Sequence, residues 1–464
     1  MKTVDRTEHV TGPLPAQRSG HRRDLAAAGV GVVLVAAAVL IGRAVENADH
    51  TLYVRWPPLL ATWYPHLGPG TWAAPTVAVA VIAHGPVLAD RLRRRALLLS
   101  CYAASLAWVF SLAMIDGWDR GIALRLTTKH EYLRVIGRFD DIGAALHGFN
   151  DHILVGPPGN WPAHVAGHPP GATLTFVLLD RIGLGGGAWA GVWCIVTGAS
   201  AAVAVLIAVR ALTDEHTARR AAPFVVLAPV AVWAGTSADG YFTAVAAWSV
   251  TLLALAATRT VRSPGAAALG AGLLFGLTCY LSYGLTLIAL PLLAVLVLSR
   301  TARPLPLFVL GALVVPVAFT LAGFNWWEAY HLLVERYYQG AGGLRPYSYW
   351  VWANLACAAI AVGPATLAGL RRTAAAAPRA VRTLRTGTTT APLRLTLLVL
   401  AAFLALSAAD LSGMSKAETE RIWQPFLLWL LPAAALLPAP RPRGWLTAQA
   451  AVALAVNHLL WTGW

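Results

Sequence analysis

Stretches of about 20 apolar residues recur from Leu25 to the C-terminus, divided by short arginine clusters, and this pattern restricts the chain more than any other feature. A backbone that crosses hydrocarbon has to satisfy its own N–H and C=O groups. The predicted fold is therefore all-α, a polytopic integral membrane protein. Hydrophobic residues make up 57% of the chain and charged residues only 12%, and the mean hydropathy is +0.60, so lipid is the main solvent. About thirteen spans are predicted. They cover residues 25–43, 72–89, 96–115, 188–212, 222–236, 241–257, 266–283, 285–298, 305–322, 350–370, 395–409, 422–437 and 446–460.

Lys and Arg beside span ends are retained on the cytoplasmic side. With these spans, Arg22 and Arg23, the 91–95 run, Arg219 and Arg220, Arg259 and Arg262, Arg300 and Arg303, the 371–394 stretch, and Arg441 and Arg443 all fall on one side. That side is predicted to be cytoplasmic, as is the N-terminus. The net charge of +15 is then a consequence of topology, and nucleic acid is not expected as a partner. Residues 1–24 form a polar tail that does not read as a cleavable signal, and the first apolar run stays as an anchor. Cys101, Cys194, Cys279 and Cys357 all lie inside predicted spans, which argues against a disulfide framework or a cysteine metal site.

The expected organisation is a tail (1–24), three spans (25–115), an extracytoplasmic catalytic loop (116–187), six spans (188–323), an extracytoplasmic aromatic loop (324–349) and four C-terminal spans (350–464). Within the first loop, Leu133, Ile136, Phe139, Ala144, Leu146 and Phe149 suggest an interfacial amphipathic helix over 129–151. Pro157, Pro158, Gly159 and Pro162 break it. A second apolar segment runs from His168-Pro169-Pro170-Gly171 to Asp180-Arg181. If it spanned, the later arginines would fall outside, so it is predicted to be a half-buried outer helix. Residues 373–392, rich in Ala, Thr and Arg, read as a flexible cytoplasmic loop. No internal repeat is evident.

Asp140 and Asp141 place two carboxylates side by side at the outer surface, where mutual repulsion and partial desolvation favour a useful base and adjacent oxygens suit a divalent cation. The same pair would equally cap a helix. His147, His152 and His164 have no zinc-ligand spacing. Lys416, Glu420 and Arg421 precede a span on the outer side. Arg421 there suits a lipid phosphate, or else anchors at the interface paired to Glu418 or Glu420. Trp327, Glu328, Arg336 and Tyr338 lie in an aromatic, charged loop that suits either a carbohydrate acceptor or an interfacial belt.

The order Asp140-Asp141, His168-Pro169-Pro170, Arg219-Arg220, Trp233, Asp239, over residues 138–253, resembles the GT-C fold membrane glycosyltransferases. Within them the resemblance is to the branch of the protein O-mannosyltransferases and aminoarabinose transferases. That family often has Lys where this chain has His168, and one span rather than three before its catalytic loop. The resemblance implies transfer of a hexosyl or pentosyl unit, such as mannose or arabinose, from a polyprenyl-phosphate donor. The acceptor would be an envelope glycan, lipid or protein outside a bacterial plasma membrane. Asp140 would be the base, Asp141 and Asp239 would orient it, and His168, Asp239, Lys416, Glu420 and Arg421 would serve the donor phosphate. If a divalent cation (Mg, Mn or Ca) takes part, Asp140, Asp141 and Asp239 would hold it. A transporter or flippase of a lipid-linked envelope precursor is the rival reading, and a non-catalytic scaffold a third.

Overall fold

A computed structural model describes residues 15–156, 158–438 and 442–462. Residues 1–14, Pro157 and Arg441, which figure in the expectations above, lie outside them. The protein is an all-α polytopic membrane protein. Among the described residues eight helices are long and apolar enough to cross a bilayer: Gly20–Asp49, Gly70–Arg91, Arg94–Ala113, Gly187–Leu212, Ala238–Thr258, Pro264–Leu281, Tyr347–Thr386 and Ala391–Leu411.

The other five predicted spans are helical but broken or short. The 222–236 stretch stops at Val226, close before Pro229, and resumes as the single turn Ala231–Ala234. Residues 285–298 begin as 3-10 helix before Ala289–Ser299. Leu305–Leu321 turns by 79° into Trp326–Tyr338. Pro425 and Pro432 divide 422–437 into short turns. Pro442–Leu459 has 18 residues and runs into the strand Leu460–Thr462, which pairs antiparallel with Ala61–Trp63.

Where membrane helices pack without a hydrophobic driving force, small residues bring the backbones together. Helices Pro264–Leu281 and Leu305–Leu321 meet in this way: a Cβ on Gly272 would sit 1.9 Å from the Phe308 carbonyl oxygen, and one on Gly311 2.1 Å from that of Leu269.

Two expectations about loops are corrected. Residues 373–386 are not a flexible loop but the helical end of Tyr347–Thr386, which is broken at Gly363 (φ 74°) and resumes beyond it. Its alanines are strong helix formers, and Gly387 in the left-handed region ends it. Residues 129–151 form three pieces, Tyr132–Phe139, Ile142–His147 and Asn150–His152, rather than one amphipathic helix. The first is 3-10 helix with a period near three, so it buries Tyr132, Val135 and Phe139 and leaves Leu133 and Ile136 only partly covered. Gly171–Arg181 is an 11-residue helix, too short to span, buried along Ala172, Phe176, Val177 and Leu179.

The arginine clusters gather at one end of the bundle, where their guanidiniums donate to backbone carbonyls, most of them at helix ends. Arg219 donates to Ala89 and Leu92 (2.6 and 3.0 Å), Arg220 to Leu437, Arg394 to Leu212 and Arg443 to Ala83 (3.1 Å). Arg371 and Arg372 clasp the fully buried Asp24 at 2.8 and 2.7 Å. The loops that carry the acidic residues close the opposite end.

Candidate functional site

At that opposite end four chain segments bring ionisable side chains into one buried cluster. Asp239 starts it, in the first turn of Ala238–Thr258. The Ser237 hydroxyl accepts from the Asp239 amide at 3.1 Å and donates to Asp239 Oδ2 at 3.0 Å, which fixes the carboxylate. The turn before it is tight: a Cβ on Gly240 would lie 2.5 Å from the Ala234 carbonyl oxygen, so only glycine fits.

Arg421 meets this carboxylate. Its Nη1 donates to Asp239 Oδ2 at 2.7 Å and its Nη2 to Glu418 Oε2 at 3.2 Å, and both Arg421 and Asp239 are buried. Burial alone would lower the Arg421 pKa, but Asp239, Glu418 and Glu131 more than reverse this and hold it above its usual value. Burial likewise favours a protonated Glu418, and Arg421 and Arg345 overcome it, leaving that carboxyl below its usual range. Ala417 and Glu418 lie at φ 72° and 64°, a left-handed conformation that costs non-glycine residues roughly 1–2 kcal/mol each. This bend aims Glu418 back at Arg421 and toward Arg345, 3.6 Å away.

The first loop supplies Glu131, Tyr132, His164 and His168. Glu131 Oε1 is 2.9 Å from His164 Nδ1, and the His164 amide donates to the His130 carbonyl at 3.0 Å. Tyr132 stacks on Phe176 at 5.5 Å between ring centres, and His168 meets it edge-on at 5.8 Å. His168 Nδ1 donates to the His164 carbonyl at 2.8 Å. A carbonyl only accepts, so the tautomer is fixed and Nε2 presents a lone pair. Burial pushes the His168 pKa down to about 4, against the opposing pull of Asp239, which keeps the ring neutral at physiological pH.

Two further predicted residues flank the cluster. Lys416 Nζ donates to the Gly342 carbonyl at 2.8 Å and sits 5.4 Å from the Tyr338 ring centre, linking the aromatic loop to the site. Glu420 is fully buried beside the Leu60 amide (3.3 Å), and burial pushes its carboxyl up to about 7. Arg345 ties the segments together by donating to the Leu52 and Lys416 carbonyls at 3.0 and 2.7 Å.

Asp140 and Asp141 stand apart from this cluster, beyond the far end of the eight-residue segment Tyr132–Phe139. A 3-10 helix rises roughly 2 Å per residue, so the two ends are separated by on the order of 15 Å. Both residues are exposed, and Asp141 caps Ile142–His147 by accepting from the Ala144 amide at 3.0 Å. With Arg138, His152 and Trp161 they line a surface depression of about 290 Å³, where Arg138 lies 3.5 Å over the Trp161 ring. Asp239, committed to Arg421, does not converge with them on a common point, and among the described residues no three His, Cys, Asp or Glu side chains do so. In the aromatic loop Trp327 is exposed, Glu328 accepts from Asn150 at 3.0 Å, and Arg336 is partly buried.

Of the predicted residues, the fold thus brings together His168, Asp239, Lys416 and Arg421, with Glu420 behind them. Sequence reasoning did not single out Glu131, weighed His164 only against a zinc site, and named Glu418 only as a partner for Arg421. The i,i+3 spacing of Glu418 and Arg421 was the one available signal.

No family model matches the chain, and no curated protein matches it. Among solved structures it is similar to the oligosaccharyltransferase of Archaeoglobus fulgidus. The apo form matches at 14% identity over 73% of this chain and 50% of that one, with a TM-score of 0.47. The complex with zinc and sulfate matches at 14% identity over 78% and 53%, with a TM-score of 0.44. The archaeal oligosaccharyltransferase AglB in complex with an inhibitory peptide and a dolichol-phosphate matches at 13% identity over 73% and 50%, with a TM-score of 0.43. The chain spans about half the length of these structures.

Proposed function

We propose that the protein is a membrane glycosyltransferase that moves a sugar from a polyprenyl-phosphate donor to an envelope acceptor, with the Asp239–Arg421–Glu131 cluster as its reaction centre. The carrying observation is the cluster itself. Buried ion pairs add little net stability, so four segments converging on buried Glu131, Asp239 and Arg421 point to chemistry.

Such a transfer needs a base for the acceptor hydroxyl and a cation for the departing phosphate. Asp239 is committed to the Arg421 guanidinium at 2.7 Å and is not taken as the base. Glu131 faces His164 instead, a partner able to accept a proton, so the Glu131–His164 pair takes the hydroxyl proton. Asp239 holds Arg421 toward the phosphate. His168, with its Nε2 lone pair, accepts a hydrogen bond from a sugar hydroxyl. Asp140 and Asp141 then act outside the reaction centre, on the acceptor side. The arginine-rich end faces the cytoplasm of a bacterial plasma membrane and the cluster faces outward.

The test is transfer of radiolabel from synthetic polyprenyl-phosphate sugars to envelope acceptors by the purified protein. Label reaching the acceptor supports the reading. Movement of intact donor across proteoliposomes without transfer supports the flippase instead.

A further inference from the structure

Four helix ends at the arginine-rich face enclose a cavity of about 540 Å³ that the proposed reaction does not use. Arg259, Arg300 and Arg303 line it from two different loops, with Ser299 and Thr301 between them. Arg259 and Arg300 each end a helix in the left-handed conformation, at φ 54° and 51°. That geometry turns the chain sharply and brings both side chains to one mouth.

Among the described residues these arginines have no anionic partner. Between Asp239 and Glu328 the sequence contains no acidic residue, and among the described residues none of the three is in an ion pair with a carboxylate. Four other arginines on this face are held by carboxylates: Arg371 and Arg372 by Asp24, and Arg210 and Arg219 by Glu215. Ser299 Oγ, buried at the cavity wall, has no hydrogen-bond partner. Ala256, Ala268 and Leu307 form the rest of the wall. From Leu307 an exposed apolar stripe continues along the same helix through Leu310, Val314 and Val317, at the i, i+3, i+7 spacing of one helix face. A cationic mouth with a donor hydroxyl, opening onto a lipid-facing apolar stripe, matches an amphiphile with an anionic head.

We propose that this cavity binds the phosphate headgroup of an anionic phospholipid, with one acyl chain along the Leu307–Val317 stripe. Phosphate oxygens accept from the three guanidiniums and from Ser299, which relieves their mutual repulsion. The site lies at the end of the bundle opposite the ionisable cluster, so the inference stands whether or not the proposed reaction is correct.

The test uses the full-length protein in neutral detergent, measuring the thermal midpoint with added phosphatidylglycerol, phosphatidylcholine or inorganic phosphate, and counting retained lipids by native mass spectrometry. Phosphatidylglycerol is expected to raise the midpoint of the wild type and remain bound, and phosphatidylcholine to do neither. The triple variant R259Q/R300Q/R303Q should lose at least tenfold in phosphatidylglycerol affinity. The control R93Q/R95Q, which removes two exposed arginines of the same face outside the cavity, should keep it. Equal loss in both variants would reduce the effect to general surface charge and overturn the site. Stabilisation by inorganic phosphate as large as that by phosphatidylglycerol would overturn the lipid assignment.

Discussion

Arg421 crosses 182 residues of chain to hold Asp239 at 2.7 Å, with both side chains only 6% exposed. A loop before the last part of the bundle is thereby locked to the first turn of a central helix. Removing Arg421 leaves the buried Asp239 carboxylate without its cation, which costs about 3–5 kcal/mol. Arg421→Ala is expected to lose that much in chemical unfolding in detergent. The double variant Asp239→Asn/Arg421→Gln should lose less than the sum of its single variants by at least about 1 kcal/mol. Additive effects would contradict a direct pair.

Glu420 gives stability a definite pH dependence. Its carboxyl is raised to about 7 in the fold against 4.5 ordinarily, so the folded state binds the extra proton. That contribution is complete below pH 4.5 and is lost as pH rises through 7, on the order of 3 kcal/mol in all. Thermal midpoints measured from pH 4.5 to 8 should fall more steeply for the wild type than for Glu420→Gln. Parallel curves would rule this out.

His168 acts in the opposite sense. Its pKa falls from 6.5 to about 4 on burial, so its contribution is present above 6.5 and lost as pH drops through 4. His168→Gln should flatten the acid limb between pH 6.5 and 4. If the variant loses stability in that window as fast as the wild type, the neutral, Nδ1-protonated ring is wrong.

Gly240 tests the turn that carries Asp239. Gly240→Ala pushes a methyl against the Ala234 carbonyl and should cost about 1–3 kcal/mol, together with activity. Gly137→Ala, where a Cβ meets nothing within 4 Å, should be near neutral. Equal thermal midpoints for the two variants would contradict the close approach.

Apolar length made eight of the thirteen predicted spans legible, because hydrocarbon sets a minimum run and the chain meets it there. The other five are helical but short or broken; in 422–437 Pro425 and Pro432 divide an equally apolar run, and composition does not register such breaks. In the site, Asp239 was readable from its place in the family order and Arg421 from the charged run beside a predicted span. Glu131 and His164 were not, since they lie in a 3-10-rich loop where no helical period reports which polar side chains turn inward. Asp140 and Asp141 drew notice as a conspicuous pair, yet a 3-10 segment separates them from the buried charges, and spacing along the chain gives no hint of that.

The buried cluster, and not the surface pair, is the proposed place of sugar transfer. Initial rates of sugar transfer from a polyprenyl-phosphate donor, compared for wild type, Glu131→Gln, Asp239→Asn and Asp140→Asn, test it most directly, each variant being first shown by its thermal midpoint to fold. Losses of at least 100-fold are expected for Glu131→Gln, on the order of general-base removal, and for Asp239→Asn through a misplaced Arg421, with Asp140→Asn within about threefold of wild type. Full activity in Glu131→Gln and Asp239→Asn with loss in Asp140→Asn would contradict this placement.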